Sequence, residues 1–209
     1  MPNNHSYRHP DSGEWAHNLA ANIVDDVCNT YIDPIWDSLV NMGESHLRVL
    51  EVGFGRGFNC AELIKRVAQQ PQMKMSLVGL EPYPELLEPW PEPHLEWQMP
   101  WWSRAKGKYA SAEEGWQLDI RHTTAQDESS YAGGLYNAFI VDLFSINKHP
   151  GHWQPPFIEL MSAAAAPGAV LSSYACARIF RQQLSEHGWR PEVVRRPGWR
   201  DTLVAVFLG

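Results

Sequence analysis

The chain alternates unbroken apolar runs with stretches in which apolar residues recur every three or four positions. "LRVLEVG" (47–53) is apolar with little alternation, the pattern of a strand buried on both faces. "FNCAELIKRVAQQ" (58–70) then sets Cys60, Ala61, Ile64, Val67 and Ala68 at helical spacing. "MSLVGLE" (75–81) predicts a second buried strand and "YNAFIVD" (136–142) another, both ending on an acid. Between them "WQLDIRHTT" (116–124) predicts a strand interrupted by Asp119 and Arg121. "PPFIELMSAAAA" (155–166) reads as a helix stopped by Pro167-Gly168, "AVLSSYA" (169–175) as a strand, and "ARIFRQQLSEHG" (177–188) as a helix ending at Gly188. "PEVVRR" and "TLVAVFLG" flank Pro197-Gly198 as an antiparallel hairpin.

Strands alternating with helices call for a parallel sheet covered on both faces. Right-handed crossovers reduce this to an α/β, doubly wound, Rossmann-like fold, with seven strands and the hairpin at the edge. The expected organisation is one domain over 1–209, with a mostly helical cap over 1–45 and a Trp/Pro-rich insertion over 83–115. Within the insertion, "EPWPEPHLEWQMPWW" (88–102) is too rich in proline for a regular helix or central strand. It either covers an edge of the core or walls a substrate pocket.

Composition narrows the class. No apolar run is long enough to cross a bilayer, and MPNNHSYRHP lacks the basic-then-apolar order of a signal peptide, so a cytoplasmic protein without membrane partners is expected. Cys28, Cys60 and Cys176 are odd in number and far apart, which suggests neither a disulfide frame nor a zinc site. A net charge of −7 argues against a simple polyanion binder. Yet from Cys176 onward six arginines face three acids, so a local basic face or a solvated surface are both open.

The chemistry concentrates in "EVGFGRGFN", between the first strand and the first helix. Gly53, Gly55 and Gly57 allow backbone angles and close approach that a Cβ forbids, and the helix after them begins with unpaired N–H groups. Ligands of open α/β sheets bind beyond the carboxyl ends of the strands, so a nucleotide-like cofactor belongs over this turn. A dinucleotide fingerprint wants its third glycine one residue later, and no Lys-Ser/Thr follows, which excludes a Walker-type loop. Glu51 before the first glycine, and Glu81 at the end of the second strand, where it can accept two ribose hydroxyls, point to S-adenosyl-L-methionine.

This turn resembles the E-L-G-F-G-T-G-L-N signature of the MnmC-type tRNA methyltransferases. "DLFSINKHPGHW" (142–153) aligns without gaps on that family's D-G-F-A-P-x-K-N-P-x-x-W, matching at Asp142, Phe144, Lys148, Pro150 and Trp153. "LEPYP", "LLEPWP" and "GEWAHN", the last carrying Glu14 and His17, are similar to further family segments. Leu143, Ile146 and His149 depart from the loop motif; Thr123-Thr124 stands where the family has Gly-Asp near the adenine, and Trp199-Arg200-Asp201 where it has Lys-Arg. The resemblance implies a methyltransferase fold and cofactor contacts at Glu51, Gly53, Phe54, Gly55, Gly57, Asn59, Glu81 and Thr124.

Methyl transfer to an amine is an in-line displacement, in which holding both reactants aligned supplies much of the acceleration. Asp142 ends a buried strand at the expected acceptor position, where it can orient the amine and take up its proton. Lys148, His149, Trp153 and Arg200 are candidate substrate contacts; as alternatives, Trp153 anchors its loop and Asn59 caps its helix. His149 and His152 lack a third partner, so no metal is expected. The leading expectation is an N-methyltransferase acting on the aminomethyl group of wobble 5-aminomethyl-2-thiouridine in tRNA, with a separate oxidoreductase as possible partner. A small-molecule amine acceptor is the alternative, and a non-catalytic cofactor-binding module the third.

Overall fold

The computed structural model describes residues 8–9, 12–14, 23–86, 107–127 and 136–209. A helical segment opens the continuous part: α1 (Ile23–Val27), a π-helical turn (Cys28–Ile32) and α2 (Asp33–Asn41) follow one another without a break. Then come β1 (His46–Val52), α3 (Phe58–Ala68), β2 (Lys74–Leu80), a short 3-10 turn (Pro84–Leu86), β3 (Gly107–Ser111) and β4 (Trp116–Arg121). The chain continues through β5 (Tyr136–Val141), a 3-10 turn (Pro150–Trp153), α4 (Pro155–Ala164), β6 (Ala165–Ser173), α5 (Arg178–Glu186), β7 (Trp189–Val194) and β8 (Thr202–Phe207).

The strands form one sheet in the order β3-β4-β2-β1-β5-β6-β8-β7. The five central strands, β4 through β6, run parallel; β8 pairs antiparallel with β6, and β7 pairs antiparallel with β8 at the edge. This is the doubly wound sheet with an antiparallel hairpin that the residue pattern predicts, with one strand more than the seven expected. The extra strand, β3, pairs antiparallel with β4 and lies inside the stretch read as an insertion. Residues 87–106 of that stretch, including 88–102 with its proposed pocket wall, lie outside the described residues.

Alternating side chains put the core on both sides of the sheet. On β1, Val49 packs with Tyr31, Ile35 and Leu39 of the opening helical segment and with Leu63 and Ile64 of α3. Its neighbours Leu50 and Val52 face the other way, onto Phe157, Ile158 and Met161 of α4 and Phe180 and Leu184 of α5. Burial on both faces accounts for the unbroken apolar runs of β1 and β5. The α4–β6 boundary sits slightly earlier than predicted: the helix ends at Ala164, and the strand absorbs Pro167-Gly168 through a register shift, with Gly168 at φ +79°. No helix among the described residues is long and apolar enough to cross a membrane.

Candidate active site

The carboxyl ends of β1, β2 and β5 meet at the glycine turn. Asp142 N–H donates to Val52 O at 2.9 Å, which lays the end of β5 directly beside Gly53. Gly53 has φ +83°, and a Cβ there would overlap the Asp142 carbonyl oxygen, so both angle and space require glycine. Gly53 and Phe54 both donate their N–H groups to Leu80 O at 3.0 Å, tying the turn to the end of β2. The Phe54 ring fills the space that Gly79 of β2 leaves by having no Cβ. Gly57, with φ +78°, is the left-handed residue that launches α3.

Two of the predicted acids are buried at this turn. Glu81 is 2% exposed; its Oε2 accepts from Gly55 N–H at 2.7 Å and its Oε1 from Tyr83 N–H at 2.9 Å. Burial pushes its pKa up to about 7, with nearby Asp142 adding to the shift and the two N–H bonds opposing it. A carboxylate has roughly four acceptor positions, and these two bonds leave capacity for a vicinal diol. Glu51 is fully buried, and its Oε1 accepts from Asn59 Nδ2 at 3.0 Å. Burial drives it well above the usual carboxylate range, the Asn59 bond opposes that shift, and Asp142 and Glu81 reinforce it. Glu51 Oε2 and Asn59 Oδ1 are buried acceptors without a hydrogen-bond partner among the described residues. Asn59 lines the cleft and Glu51 lies behind it on the Asn59 amide; such acceptors suit a ligand that brings donors, as the ammonium end of an amino acid does.

Asp142 stands opposite. Its Oδ1 accepts from the Tyr31 hydroxyl at 2.5 Å, and Asn59 Nδ2 lies 3.4 Å from its Oδ2. A cleft of about 310 Å³ opens between these groups, lined by Gly53, Phe54, Gly55, Asn59, Glu81 and Asp142 and continuing past Glu14, Asp26, Tyr31, Tyr83, Phe144, Tyr174 and Arg200. Tyr174 fixes the loop after β5 by donating to Leu143 O at 2.6 Å, and Arg200 sits over the Tyr174 ring while pairing with Asp26 at 3.1 Å.

The remaining expected residues separate into groups. Thr124 lines a smaller hollow beside the cleft, with Val52, Leu80 and Ala125, and its hydroxyl donates to Asp127 at 2.6 Å. Arg200 reaches the cleft; Lys148 lies exposed on the loop and is not among the cleft's lining residues. His149 is turned inward to Ser12 Oγ at 2.9 Å and packs between the rings of His9 and His152, so it braces the loop and does not present itself to substrate. Trp153 is 1% exposed, with Nε1 donating to Phe144 O at 2.9 Å; it anchors the loop and offers no face for stacking on a base. Glu14 clamps the same loop through Ser145 N and Oγ at 3.0 and 2.9 Å and also lines the cleft, while His17 lies outside the described residues. Tyr83, inside the quoted "LEPYP" segment, also lines the cleft, and Tyr31, Tyr174 and Asp26 are cleft residues that the motifs do not mark. Only the aromatic character of Tyr31 and Tyr174 hints at a pocket, and the positions of all three depend on folding between separate elements.

A family model for S-adenosyl-L-methionine-dependent methyltransferases matches residues 88–206, more than half of the chain. The chain belongs to this family. It is an enzyme that uses S-adenosyl-L-methionine, and the glycine turn, the spare acceptor capacity of Glu81 and the unmet acceptors of Glu51 and Asn59 fit that cofactor. Among curated relatives, the methyltransferase is 28% identical over 163 residues to the tRNA 5-methylaminomethyl-2-thiouridine biosynthesis bifunctional protein MnmC of Caulobacter vibrioides, covering 71% of this chain and 27% of that protein. It is 28% identical over 169 residues to the protein of the same name in Chromohalobacter salexigens, covering 67% and 22%. The methyltransferase thus spans about a quarter of the length of these relatives. Its fold superposes on the crystal structure of MnmC2 from Aquifex aeolicus with a TM-score of 0.81 at 21% identity, covering 96% of this chain and 65% of that one. A second match, CalS10, an amino pentose methyltransferase from Micromonospora echinaspora, gives 0.56 at 14% identity, covering 90% and 92%. The resemblance to MnmC-type methyltransferases read from the motifs is borne out.

Proposed function

We propose that this methyltransferase methylates the aminomethyl group of wobble 5-aminomethyl-2-thiouridine in tRNA, working in the cytoplasm, with an oxidoreductase that acts earlier on the same nucleoside as its partner enzyme. The observation that carries an amine acceptor is the make-up of the cleft beyond the glycine turn. There Asp142, Glu14 and Asp26 stand among Tyr31, Tyr174 and Phe144, a set of carboxylates and aromatic faces that attracts an alkylammonium. The names of the curated relatives supply the nucleoside.

In this reading Glu81 accepts the ribose hydroxyls, the Gly53–Gly57 turn and Phe54 shape the floor, Glu51 and Asn59 take the amino-acid end, and Thr124 borders the adenine end. When bound, S-adenosyl-L-methionine supplies a methyl group on a positively charged sulfur. Asp142 accepts a hydrogen bond from the acceptor nitrogen, aligns its lone pair along the transfer direction, and receives or relays the proton that nitrogen must lose. Its negative charge also stabilises the positive charge that grows on nitrogen during the transfer. Arg200, beside Tyr174 at the cleft, meets a phosphate of the acceptor nucleotide.

The test incubates the purified enzyme with S-adenosyl-L-methionine and tRNA carrying the aminomethyl nucleoside, and follows conversion to methylaminomethyl by mass spectrometry of the nucleosides. The expected result is conversion that Asp142→Asn lowers at least about 100-fold, with S-adenosylhomocysteine affinity retained. The acidic balance of the whole chain favours one second reading, a free amine metabolite as acceptor. Turnover of small amines with unmodified tRNA nucleosides would establish it.

A further inference from the structure

We infer that Tyr31 is a positioning residue for the methyl transfer, its hydroxyl holding the Asp142 carboxylate in one orientation toward the cleft and in its charged form. This rests on the reading of Asp142 as the group that meets the acceptor. Tyr31 is 3% exposed, lines the cleft, and donates to Asp142 Oδ1 at 2.5 Å, the short distance of a hydroxyl bonded to a charged oxygen. A second contact, Asn59 Nδ2 to Oδ2, is longer at 3.4 Å, and the same amide is committed to Glu51 at 3.0 Å. The phenol is the stronger of these two holds.

The backbone of Tyr31 is fixed as well. It lies in the π-helical turn Cys28–Ile32, closed by Asp33 N–H donating to Cys28 O. Such turns concentrate at functional sites because they redirect side chains within a helix. Its carbonyl oxygen accepts from the buried Ser172 hydroxyl of β6 at 3.0 Å, pinning the turn to the sheet. Glu51 and Glu81 are acids whose ionisation Asp142 opposes, and Tyr174 spends its hydroxyl on Leu143 O. Arg200, the cation nearest Tyr31 and Tyr174, pairs with Asp26. Burial and the Asp142 charge raise the pKa of Tyr31 well above that of an ordinary phenol, so it remains a donor over the working pH range.

The test compares Tyr31→Phe, Asp142→Asn, their double variant and, as a control on the same segment, Ser172→Ala. A lost hydrogen bond to a charged group corresponds to roughly 10- to 100-fold and to about one pH unit or more. Tyr31→Phe is therefore expected to lower kcat roughly 10-fold or more, leave both KM values within about threefold, and move the acid limb of the pH–rate profile up by about one unit. In the ligand-free protein, the carbon-13 carboxyl signal of Asp142 titrates upward by a similar amount. Ser172→Ala, which keeps the Tyr31 hydroxyl and removes only a backbone pin, moves limb and carboxyl less than Tyr31→Phe does, and Tyr31→Phe adds less than about twofold on the Asp142→Asn background. Site-specific 3-fluorotyrosine, a stronger donor, shifts the limb downward, which keeps the test open should Tyr31→Phe fold poorly. An unmoved limb and carboxyl in a variant set where Asp142→Asn is inactive overturn the role of Tyr31. Full turnover in Asp142→Asn instead overturns the reading of Asp142, while the carboxyl titration still reports on the hydrogen bond.

Discussion

Glu81 carries opposing demands at one side chain. It is buried, which favours the neutral acid, and it accepts two backbone N–H bonds, which favour the carboxylate; burial wins, and its pKa rises to about 7 from the ordinary 4.5. An acid whose folded value is raised binds its proton more tightly in the fold, so it contributes stability at low pH that is lost as pH climbs from about 4.5 to about 7. Two ribose hydroxyls donating to it reverse the preference and favour the charged form. The affinity for S-adenosylhomocysteine is accordingly expected to fall as pH drops below about 7, by up to about tenfold per unit, and Glu81→Gln to bind weakly with a flat profile. Titration calorimetry between pH 5.5 and 8 in several buffers checks both. Gly53 sets the opposite kind of constraint. Gly53→Ala forces a left-handed conformation costing about 1–3 kcal/mol and drives a Cβ into the Asp142 carbonyl. A lower melting temperature and loss of cofactor binding are the expected outcomes. Glu51, Glu81, Asp142 and the glycines were legible in the sequence because each sits at a strand end or a fixed spacing. Tyr31, Tyr174 and Asp26 were not, since no local pattern marks a residue that reaches the cleft from more than a hundred positions away or from a separate element.

At the scale of elements, the readable parts were those with unbroken apolar runs. Strands β1, β2 and β5 announce themselves because both faces are buried. Strand β3, "GKYAS", has no fully buried residue and gains its strand character only by pairing with β4 at the edge, so its own pattern is silent. The π-helical turn is likewise invisible, because a helix with one widened turn keeps nearly the same apolar spacing. The loop after β5 shows how a motif can be recognised while its roles stay mixed. Asp142 and Phe144 face the cleft, whereas Trp153 is packed beneath, against Phe157 and Phe180, with its Nε1 on Phe144 O. Trp153→Ala is expected to cost about 3–5 kcal/mol in thermal or denaturant unfolding. It should also lower turnover by loosening Phe144, without changing the salt dependence of acceptor binding. A base-stacking role predicts the reverse: stability nearly intact and weakened tRNA binding.

For the whole molecule, charge and shape point in different directions. The net charge is −7, yet the stretch from Cys176 onward holds six arginines against three acids, and it brings Arg200 to the rim of the cleft. Arg195 on the same hairpin is 77% exposed, and its nearest acid, Asp201, is itself half exposed, so the pair is screened and its guanidinium is available to a polyanion. Long-range repulsion from the acidic remainder and local attraction from this edge together predict weak, strongly salt-dependent tRNA binding. Each neutralised phosphate releases counterions and contributes a slope of about 0.9 in log affinity against log salt. Two or three such contacts raise KM for tRNA roughly 10- to 40-fold between 50 and 200 mM salt. KM for S-adenosyl-L-methionine, a single zwitterionic sulfonium held inside the cleft, stays within about twofold over the same range. Arg195→Ala is expected to reduce the tRNA slope by about one contact and leave turnover at saturating tRNA unchanged. Initial-rate measurements across that salt series decide between an acceptor that lies along the hairpin and one that enters the cleft alone: a salt-independent acceptor KM would select the free amine.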